Sequence, residues 1–413
     1  MKIAFVVHVF PRLSETFVLN QISGLIDLGH EVDIFAELDP GEGKVHQQVE
    51  EYQLLRRTHY FIDSKQKWSH RRKYLLLLLK NLHKSPAKII RALIVAKRFN
   101  IRPRESLRYV IPFLGKDYDI IHCQFATLGN IGIFLKEVGI SGKVVASFRG
   151  FDASRIVKAN PGIYDDLFER GDLMLPNCNW FRMRLLDLGC RDEKIIIHES
   201  GIDVEQFTFT EKHLEEGSNI NLLTVARLTE KKGIEYSLQA VAKLMPKYPR
   251  LFYRIAGEGE LRAELEALAT QLGLKEHVVF MGYVDHDEVK SLMMASHIFV
   301  LASVISENGD EEGPSNVLNE AMASGMPVIA TDQTGFNEVV MDGVSGFLVP
   351  ERDADALADR LDYLIQHPEQ WVEMARAGRE YVEEHYDIRK LNQRLVEIYR
   401  RLMEERDFAQ LSL

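Results

Sequence analysis

The chain of 413 residues is 46% hydrophobic and 27% charged, and its formal net charge is −10. This composition is typical of a globular protein and excludes a largely disordered chain. The length suits two domains of about 200 residues each. The negative charge disfavours nucleic acid as a partner. The three cysteines form no CxxC pair, which argues against a disulfide framework or zinc site and favours a reducing cytoplasm.

Residues 65–108 form a basic stretch in this acidic chain, with 14 Lys or Arg and one acidic residue, Glu105. No window holds the roughly 18 uninterrupted apolar residues of a membrane span. The first apolar run ends at Pro11, too early for a secretory signal. We therefore expect a cytoplasmic protein that contacts the inner face of the cytoplasmic membrane peripherally through 65–108. An ordinary solvated helical face is the alternative.

Apolar strands and amphipathic helices are expected to alternate through the first half. KIAFVVHVF is a predicted strand, followed by a helix over 14–28 and by the strand EVDIFAE. After the basic stretch the strand pattern returns in YDIIHCQF, KVVASFRG and DLMLPN, with a helix over 180–188. The acidic, glycine-containing segment 211–219 is then expected to be a linker.

The same alternation restarts after the linker. Strands are predicted at NLLTVAR, FYRIAG, HVVFMG, HIFVLAS and PVIAT. Helices are predicted over 233–245, 260–272, 286–295, 315–324 and 354–366. Such alternation predicts a parallel doubly wound sheet in each half, with ligands at the carboxyl ends of the strands.

The predicted fold class is therefore α/β, with two Rossmann-like domains that face each other across a cleft. The domains are placed at 1–205 and 206–385. Residues 386–413 are expected to form a C-terminal helix that packs back on the N-terminal domain.

The most informative segment is ENGDEEGPSNVLNEAMASGMPVIAT, in which Glu312 and Glu320 have seven residues between them. Gly313 and Pro314 lie where a loop becomes a helix, and we expect Pro314 at an early helical position. Free backbone N–H groups at the start of this helix would favour a phosphate. Glu320 could then reach vicinal hydroxyls on a ribose. The N–H groups concerned belong to Ser315, Asn316 and Val317.

Each glutamate also has an ordinary explanation. Glu312 could be one more carboxylate in an acidic loop with Asp310 and Glu311, and Glu320 an exposed helix residue.

Two cations follow the strand NLLTVAR at its carboxyl end. Arg227 and Lys232 can clamp a diphosphate there and neutralise the charge that grows on a leaving group. Their alternative is a pair of solvated surface charges, and Lys231 is interpreted as such a charge. Further along the chain, Gly257 and Gly259 would allow a close backbone approach to a base or pyrophosphate.

These residues carry a family resemblance. The run from Arg227 to Pro350, together with GIDVEQF, resembles the donor domain of the family-four retaining glycosyltransferases (group 1) of GT-B fold, down to AMASGMPVIAT and DGVSGFLVP. The first half is similar to colanic-acid and other exopolysaccharide or capsule glycosyltransferases through FPRLSETFVLNQISGL, DIIHCQF and SFRGFDAS.

The resemblance implies a retaining hexosyltransferase with an N-terminal acceptor-binding domain and a C-terminal donor-binding domain. It would move a sugar from a nucleotide-diphosphate sugar, with UDP favoured over GDP, to a glycan or lipid-linked acceptor. The product would belong to exopolysaccharide, capsule or lipopolysaccharide synthesis. Glu312 would contact the hydroxyls of the transferred sugar, Glu320 the ribose, and Arg227 with Lys232 the diphosphate. Tyr283 is counted with the donor-binding residues.

No cofactor or metal is expected beyond the nucleotide sugar as co-substrate. The family reaction is usually pictured as a front-face displacement in which the leaving diphosphate helps to take the acceptor proton. Three Asp-x-Asp sequences begin at Asp117, Asp285 and Asp353. We interpret all three as structural, the last two as helix N-caps.

The candidate acceptor-side residues lie in the first half. Arg149 takes the place of a common family His in SFRGFDAS and is predicted to be catalytic by holding an oxyanion or phosphate. Asp152 would partner it or bind a sugar hydroxyl; the alternative is a buried Arg–Asp pair that fixes the loop. Ser14 and Glu15 replace two common glycines, and His122 is either an acceptor contact or a core histidine.

Two other enzyme classes remain as alternatives. A nucleotide-sugar epimerase would use the same scaffold without an acceptor. An NAD-dependent oxidoreductase is disfavoured because the first strand is followed by FPRLSE and not by GxGxxG.

Overall fold

The structure, a computed structural model, describes residues 1–12, 15–41, 45–61, 81 and 83–405. The chain divides into two compact units. The N-terminal unit comprises Met1–Asn177, Phe181–His198 and Asn392–Leu413, and the C-terminal unit comprises Cys178–Trp180 and Glu199–Leu391. The predicted ranges, an acceptor-binding domain at 1–205, a donor-binding domain at 206–385 and a C-terminal helix in 386–413, stay a prediction.

The N-terminal unit is built on a six-stranded parallel sheet in the order β3-β2-β1-β4-β5-β6. Its central strands are short apolar runs buried on both faces, as parallel sheets covered by helices require. The strands are β1 (Lys2–Val9), β2 (Glu31–Leu38), β3 (Thr58–Tyr60), β4 (Ile120–Cys123), β5 (Lys143–Phe148) and β6 (Leu173–Pro176).

The helices of this part of the chain connect the strands and cover the sheet. Pro86 and Pro103 each begin a helix, where a missing N–H costs no hydrogen bond. The described helices are α1 (Thr16–Asp27), α2 (Gln47–Glu51), α3 (Pro86–Val95), α4 (Pro103–Val110), α5 (Gly129–Val138), α6 (Gly150–Ala153), α7 (Arg155–Ala159), α8 (Asp165–Arg170) and α9 (Asn179–Asp187).

The C-terminal unit repeats the same plan with six parallel strands in the order β12-β11-β10-β7-β8-β9. The strands are β7 (Ile220–Val225), β8 (Leu251–Ala256), β9 (Val278–Gly282), β10 (Ile298–Leu301), β11 (Val328–Thr331) and β12 (Gly346–Val349). The helices are α10 (Ile234–Leu244), α11 (Arg262–Gln271), α12 (His286–Ala295), α13 (Asn316–Ala323), α14 (Ala354–Gln366) and α15 (Trp371–His385), and α16 (Ile388–Glu404) ends the described chain.

The two sheets confirm the predicted α/β class with a doubly wound parallel sheet in each half. Two edge strands, β3 and β12, were not predicted; they have three and four residues. Thr58–Tyr60 is short and partly polar, and Gly346–Val349 starts with a glycine and is followed by Pro350, so both are typical of loops in the sequence. No described helix has the length and apolar character that crossing a membrane requires.

Helix α16 belongs to both units in turn. Its first residues, Ile388 to Leu391, count with the C-terminal unit, and Asn392 onward counts with the N-terminal unit. Leu395 and Tyr399 are fully buried in the core that β1 and α1 form. The last helix of the sequence therefore completes the core of the first unit.

Each sheet has one point where the strand order reverses. In the N-terminal sheet it lies between β1 and β4, and in the C-terminal sheet between β7 and β10. Loops at the carboxyl ends of such strand pairs diverge to opposite faces and leave a crevice for ligands. The loops after β7 and β10 are thus the first place to look for a site in the C-terminal unit.

Candidate functional site

The loops after β7 and β10 pack directly on each other. The N–H of Val304 donates to the carbonyl of Lys231 over 2.9 Å. Gly233 has φ +55°, and a Cβ at this position would lie 1.9 Å from the carbonyl oxygen of Ala302. Only glycine permits this approach. The close contact brings the basic loop after β7 to the acidic loop after β10.

Two lysines and two carboxylates form a cluster where these loops meet. The Nζ of Lys232 lies 3.0 Å from Oε2 of Glu312, and the Nζ of Lys231 lies 3.6 Å from the same oxygen. Lys231 also lies 3.3 Å from Oδ2 of Asp310. The interpretation of Lys231 as a solvated surface charge is wrong, because its side chain is 11% exposed and is paired with both carboxylates.

Burial and pairing set the protonation of this cluster. Burial raises the pKa of the Glu312 carboxyl, but the attraction of Lys232 and Lys231 outweighs it and holds the pKa below its usual value. Glu312 is therefore ionised at neutral pH. Burial lowers the pKa of Lys232, and Glu312 partly offsets this effect.

Arg227 is an exposed cation next to this cluster. Its charge acts on both Lys232 and Glu312, and its side chain is exposed in the loop after β7. Among the residues the structure describes, its guanidinium has no ion-pair or hydrogen-bond partner. Its guanidinium is therefore free to meet an anion at the switch point of the sheet.

The N-terminus of α13 lies at the end of the acidic loop. Ser315 is the N-cap, with φ −97° and ψ 118°, and makes no side-chain capping bond. Pro314 lies outside the helix, so its expected early helical position is wrong. The backbone N–H groups of Asn316 and Val317 precede the first i→i−4 bond and remain available to an anion. Gly313 and Pro314 are buried beside them.

The loop after β11 supports Pro314 from the other side. Gly335 has φ +79°, and a Cβ there would lie 2.7 Å from Cδ of Pro314. This packing fixes where α13 begins.

Glu320 lies on α13 and differs electrostatically from Glu312. Burial raises the pKa of its carboxyl to about 7, and Lys290 offsets only part of this effect. The description of Glu320 as an exposed helix residue is wrong, since it is partly buried. The two glutamates of the segment thus have opposite pKa shifts.

The glycines after β8 have a packing reason of their own. A Cβ on Gly257 would lie 1.9 Å from the carbonyl oxygen of Ala226, and one on Gly259 would lie 2.3 Å from that of Leu228. Both glycines therefore allow the loop that carries Arg227 to pack closely. Tyr283, directly after β9, is exposed. Donor contacts by these three residues stay a prediction.

The hydrogen bonds to the Glu311 carboxylate were not predicted from the sequence. This residue is buried, and its Oε2 accepts from Nε1 of Trp180 at 3.0 Å and from Oγ1 of Thr334 at 3.4 Å. Glu338 in turn accepts the backbone N–H groups of Asn179 and Trp180, at 2.8 and 3.1 Å. Trp180 and Thr334 therefore stabilise the acidic loop after β10 through Glu311, the neighbour of Glu312. Trp180 and Glu311 lie 131 residues apart, so no spacing in the sequence reveals their contact.

The predicted acceptor-side residues of the N-terminal unit cluster around α6. Asp152 is fully buried and accepts the backbone N–H of Arg149 at 3.3 Å. The Arg149 guanidinium lies 4.1 Å over the ring of Phe17 and donates to Oε1 of Gln124 at 3.3 Å. The backbone N–H bond and the attraction between the two charges both fit the alternative of an Arg–Asp pair that fixes the loop.

Burial shifts the pKa values of this pair strongly. It lowers the pKa of Arg149 to about 10 and raises that of Asp152 to about 7. Burial also raises the pKa of Glu15, although Arg12 lies 3.1 Å away. Ser14 lies outside the described residues.

His122 is fully buried at the end of β4. Its Nδ1 lies 2.6 Å from the hydroxyl of Tyr399 and its Nε2 lies 2.8 Å from Oγ of Ser147. Burial lowers its pKa well below the usual value, so the ring is neutral. An acceptor contact by His122 requires one of these bonds to open, and it stays a prediction.

The Asp-x-Asp aspartates have the structural roles that the sequence indicates. Asp285 caps α12 by accepting the N–H of Glu288 at 3.0 Å, and Asp353 caps α14 by accepting that of Ala356 at 2.8 Å. In the described ranges, His, Cys, Asp and Glu side chains form no group of three or more that could hold a metal ion.

The structure thus brings together two sets of predicted residues, one in each unit. Lys232, Glu312 and Arg227 converge at the β7–β10 switch point, with the N-terminus of α13 after them. Arg149, Asp152 and Glu15 converge near the carboxyl ends of β1, β4 and β5.

Comparisons with known proteins agree with this architecture. The model of the family "Glycosyl transferases group 1" matches residues 205–381. WcaL of Salmonella typhimurium strain LT2, named for colanic acid biosynthesis, is 34% identical over 96% of this chain and 99% of its own. The amylovoran biosynthesis glycosyltransferase AmsK of Erwinia amylovora is 32% identical over 97% of this chain and 100% of its own.

The solved structures show the fold. Anabaena HepE in complex with UDP-glucose superposes with a TM-score of 0.71 at 18% identity, covering 96% of this chain and 99% of that one. The fold of the chain is that of the GT-B proteins, with two Rossmann-like units.

Proposed function

The chain belongs to the group 1 glycosyltransferases, and on that premise we propose that it is a retaining hexosyltransferase that uses a UDP-sugar and no metal ion. The acceptor is a glycan or lipid-linked saccharide of exopolysaccharide, capsule or lipopolysaccharide synthesis, and the enzyme works in the cytoplasm. Relatives named for colanic acid and amylovoran biosynthesis support the acceptor class. The HepE complexes with UDP and UDP-glucose support the donor class.

The cluster at the β7–β10 switch point carries this proposal. Three cations meet here: Lys231 and Lys232, which are paired with Glu312 and Asp310, and the exposed Arg227. The N–H groups at the start of α13 supply further donors. A diphosphate is the ligand that needs this density of donors in one place. These groups stabilise the charge that develops on the leaving UDP as the glycosidic bond to the donor sugar breaks.

The carboxylates have separate tasks in the proposed site. Ionised Glu312 accepts hydrogen bonds from hydroxyls of the transferred sugar and orients it against the diphosphate. Glu320, farther along α13, accepts from the ribose hydroxyls. In the front-face route the leaving phosphate takes the acceptor proton, so catalysis consists of positioning and charge stabilisation.

Supply of positive charge by side chains is the reason to propose a metal-independent reaction. Arg227, with Lys232 and Lys231 beside it, can meet the charge of the diphosphate, so the proposed site uses no divalent cation. Neither an epimerase nor an NAD-dependent oxidoreductase is supported by the relatives and structures compared above.

Ligand-induced thermal stabilisation tests the donor class. Purified protein is heated with UDP, GDP, ADP, their common sugar conjugates and NAD, each with and without EDTA. A ligand that binds only the folded state raises the unfolding temperature. We expect stabilisation by UDP and one UDP-sugar, unchanged by EDTA. Stabilisation by NAD alone, or loss of the UDP effect in EDTA, contradicts the proposal.

Product stereochemistry tests the mechanism. The new glycosidic linkage is characterised by NMR after transfer to a lipid-linked acceptor. We expect the anomeric configuration of the donor to be kept. An inverted linkage, or a changed sugar with no transfer, contradicts retaining transfer.

A further inference from the structure

Helix α3 presents an exposed apolar face next to unpaired cations. Ile90, Leu93 and Ile94 are 56%, 38% and 71% exposed, respectively. Their spacing places all three on one side of the helix. Ile89 and Ala92, on a neighbouring side of the helix, are buried in the N-terminal unit. The helix is therefore anchored by one face and offers three aliphatic side chains to solvent with another.

The charged residues before, within and directly after α3 in the sequence are all basic. Sequence from 81 to 104 contains no Asp or Glu. The five cations closest to α3 along the chain form no ion pair or side-chain hydrogen bond within the part of the chain that the structure describes. Arg102, by contrast, lies 3.6 Å from Glu105. The five are Lys84, Lys88, Arg91, Lys97 and Arg98.

Uncompensated cations and exposed aliphatic groups together select one kind of partner. A bilayer that contains anionic phospholipid meets both, because the aliphatic groups enter the acyl boundary while lysines and arginines contact headgroup phosphates. Nucleic acid would use the cations but leave Ile90 and Ile94 in water. It would also be repelled by the net charge of −10 of the whole chain.

We propose that α3, with the cations from Lys84 to Arg98, docks the N-terminal unit on an anionic phospholipid surface. This narrows the membrane contact predicted for 65–108 to a defined helix face; residues 62–80 and 82 of that stretch lie outside the described residues. The docking deepens the proposed function, since a lipid-linked acceptor lies in such a surface. Docking on phospholipid can be measured without any transfer of a sugar.

Vesicle co-sedimentation of the full chain tests the docking. The vesicles contain phosphatidylglycerol and phosphatidylethanolamine, or phosphatidylcholine alone as the neutral probe. We expect binding to the anionic vesicles only, weakened by NaCl because the Lys and Arg contacts are screened. Equal binding to both vesicles, or binding to duplex DNA in place of vesicles, would overturn the proposal.

Paired variants separate the two features of the face. Ile90→Ser with Ile94→Ser removes apolar contact, and Lys97→Glu with Arg98→Glu reverses charge. Each pair should lower the partition coefficient at least about tenfold. Matched controls in the C-terminal unit are Met294→Ser, at a site that is 53% exposed, and Lys275→Glu. Binding by the α3 variants equal to that of the controls overturns the proposal.

Folding and donor binding are measured in the same variants. All the substituted positions lie at the surface, so we expect unchanged unfolding temperatures and unchanged stabilisation by UDP. A protein that UDP never stabilises but that binds anionic vesicles through α3 refutes the donor proposal and supports the docking. The opposite result, UDP stabilisation without any vesicle binding, refutes the docking alone.

Discussion

Glu312 is ion-paired with two lysines, and we expect its replacement to affect the rate of sugar transfer more than the stability of the fold. Glu312→Gln keeps the shape but removes the charge that orients the sugar. Loss of one such preorganised contact costs about 100- to 1000-fold in kcat. We expect a loss of this size in steady-state transfer assays with a UDP-sugar. The thermal unfolding temperature should fall as well, because the buried Lys232 loses its ionised partner, so kcat is compared at a temperature where circular dichroism shows the variant to be folded.

The same loop provides the control. Glu307 is exposed, and Glu307→Gln should leave kcat within about twofold of the wild type, as surface substitutions do. Wild-type turnover in folded Glu312→Gln would show that the residue has no part in transfer.

Glu320 should make stability depend on pH. Burial raises its pKa in the folded protein from 4.5 to about 7. The folded state thus holds this proton more tightly, so the free energy of unfolding decreases as pH rises from about 4.5 to about 7. Glu320→Gln removes the titration. We expect the variant to gain about 1–3 kcal/mol on the wild type between pH 4.5 and 8, measured by urea unfolding.

The unfolding comparison has a clear contrary result. A stability difference between Glu320→Gln and wild type that is the same at both pH values would show that the folded-state pKa of Glu320 is not raised.

At the scale of elements, the brace from Trp180 to Glu311 should control donor affinity more than turnover. Trp180→Phe keeps the ring but removes the N–H that Glu311 accepts at 3.0 Å. A buried carboxylate that loses one donor is destabilised by about 1.5–3 kcal/mol. The acidic loop should then shift, and KM for the UDP-sugar should rise about tenfold or more while kcat falls less.

Thr334→Val is the graded comparison for this brace. It removes the second donor to the same oxygen, at 3.4 Å, and should raise KM in the same direction by a smaller factor. Unchanged KM in Trp180→Phe would leave the tryptophan with a purely structural role.

Elements also show how far the sequence predicts this structure. Strand–helix alternation predicted both sheets because buried parallel strands are continuous apolar runs. The edge strands β3 and β12 were not predicted, because β3 is short and partly polar and β12 starts with a glycine. Lys232 and Glu312 could be predicted as residues of one donor site because each follows a strand at its carboxyl end, but their ion pair was not predicted. The pairing of Lys231 and the Trp180–Glu311 contact could not be predicted, since both depend on how loops fold over one another.

At the scale of the whole molecule, α16 makes the stability of the N-terminal unit depend on the end of the chain. Leu395 is fully buried in the core with β1 and α1. Leu395→Ala should cost about 2–5 kcal/mol. In hydrogen exchange measured by mass spectrometry, we expect faster exchange in β1 and α1 and little change in β7 to β12.

Leu391, one turn earlier on α16, is the matched control. It counts with the C-terminal unit and lies close to Gly201 there. Leu391→Ala should accelerate exchange in the C-terminal unit instead. The same exchange pattern in both variants would contradict the division of α16 between two cores.

The division of α16 also bears on how the protein is made. A ribosome delivers the strands of the N-terminal sheet first, but Leu395, Ile398 and Tyr399 of its core are translated only after the whole C-terminal unit. Domains generally fold during synthesis in the order in which they emerge. Here the first unit to emerge must wait, with part of its apolar core uncovered, until the second has been synthesised. The nascent N-terminal unit is thus exposed to aggregation and to chaperones while the C-terminal unit is being translated.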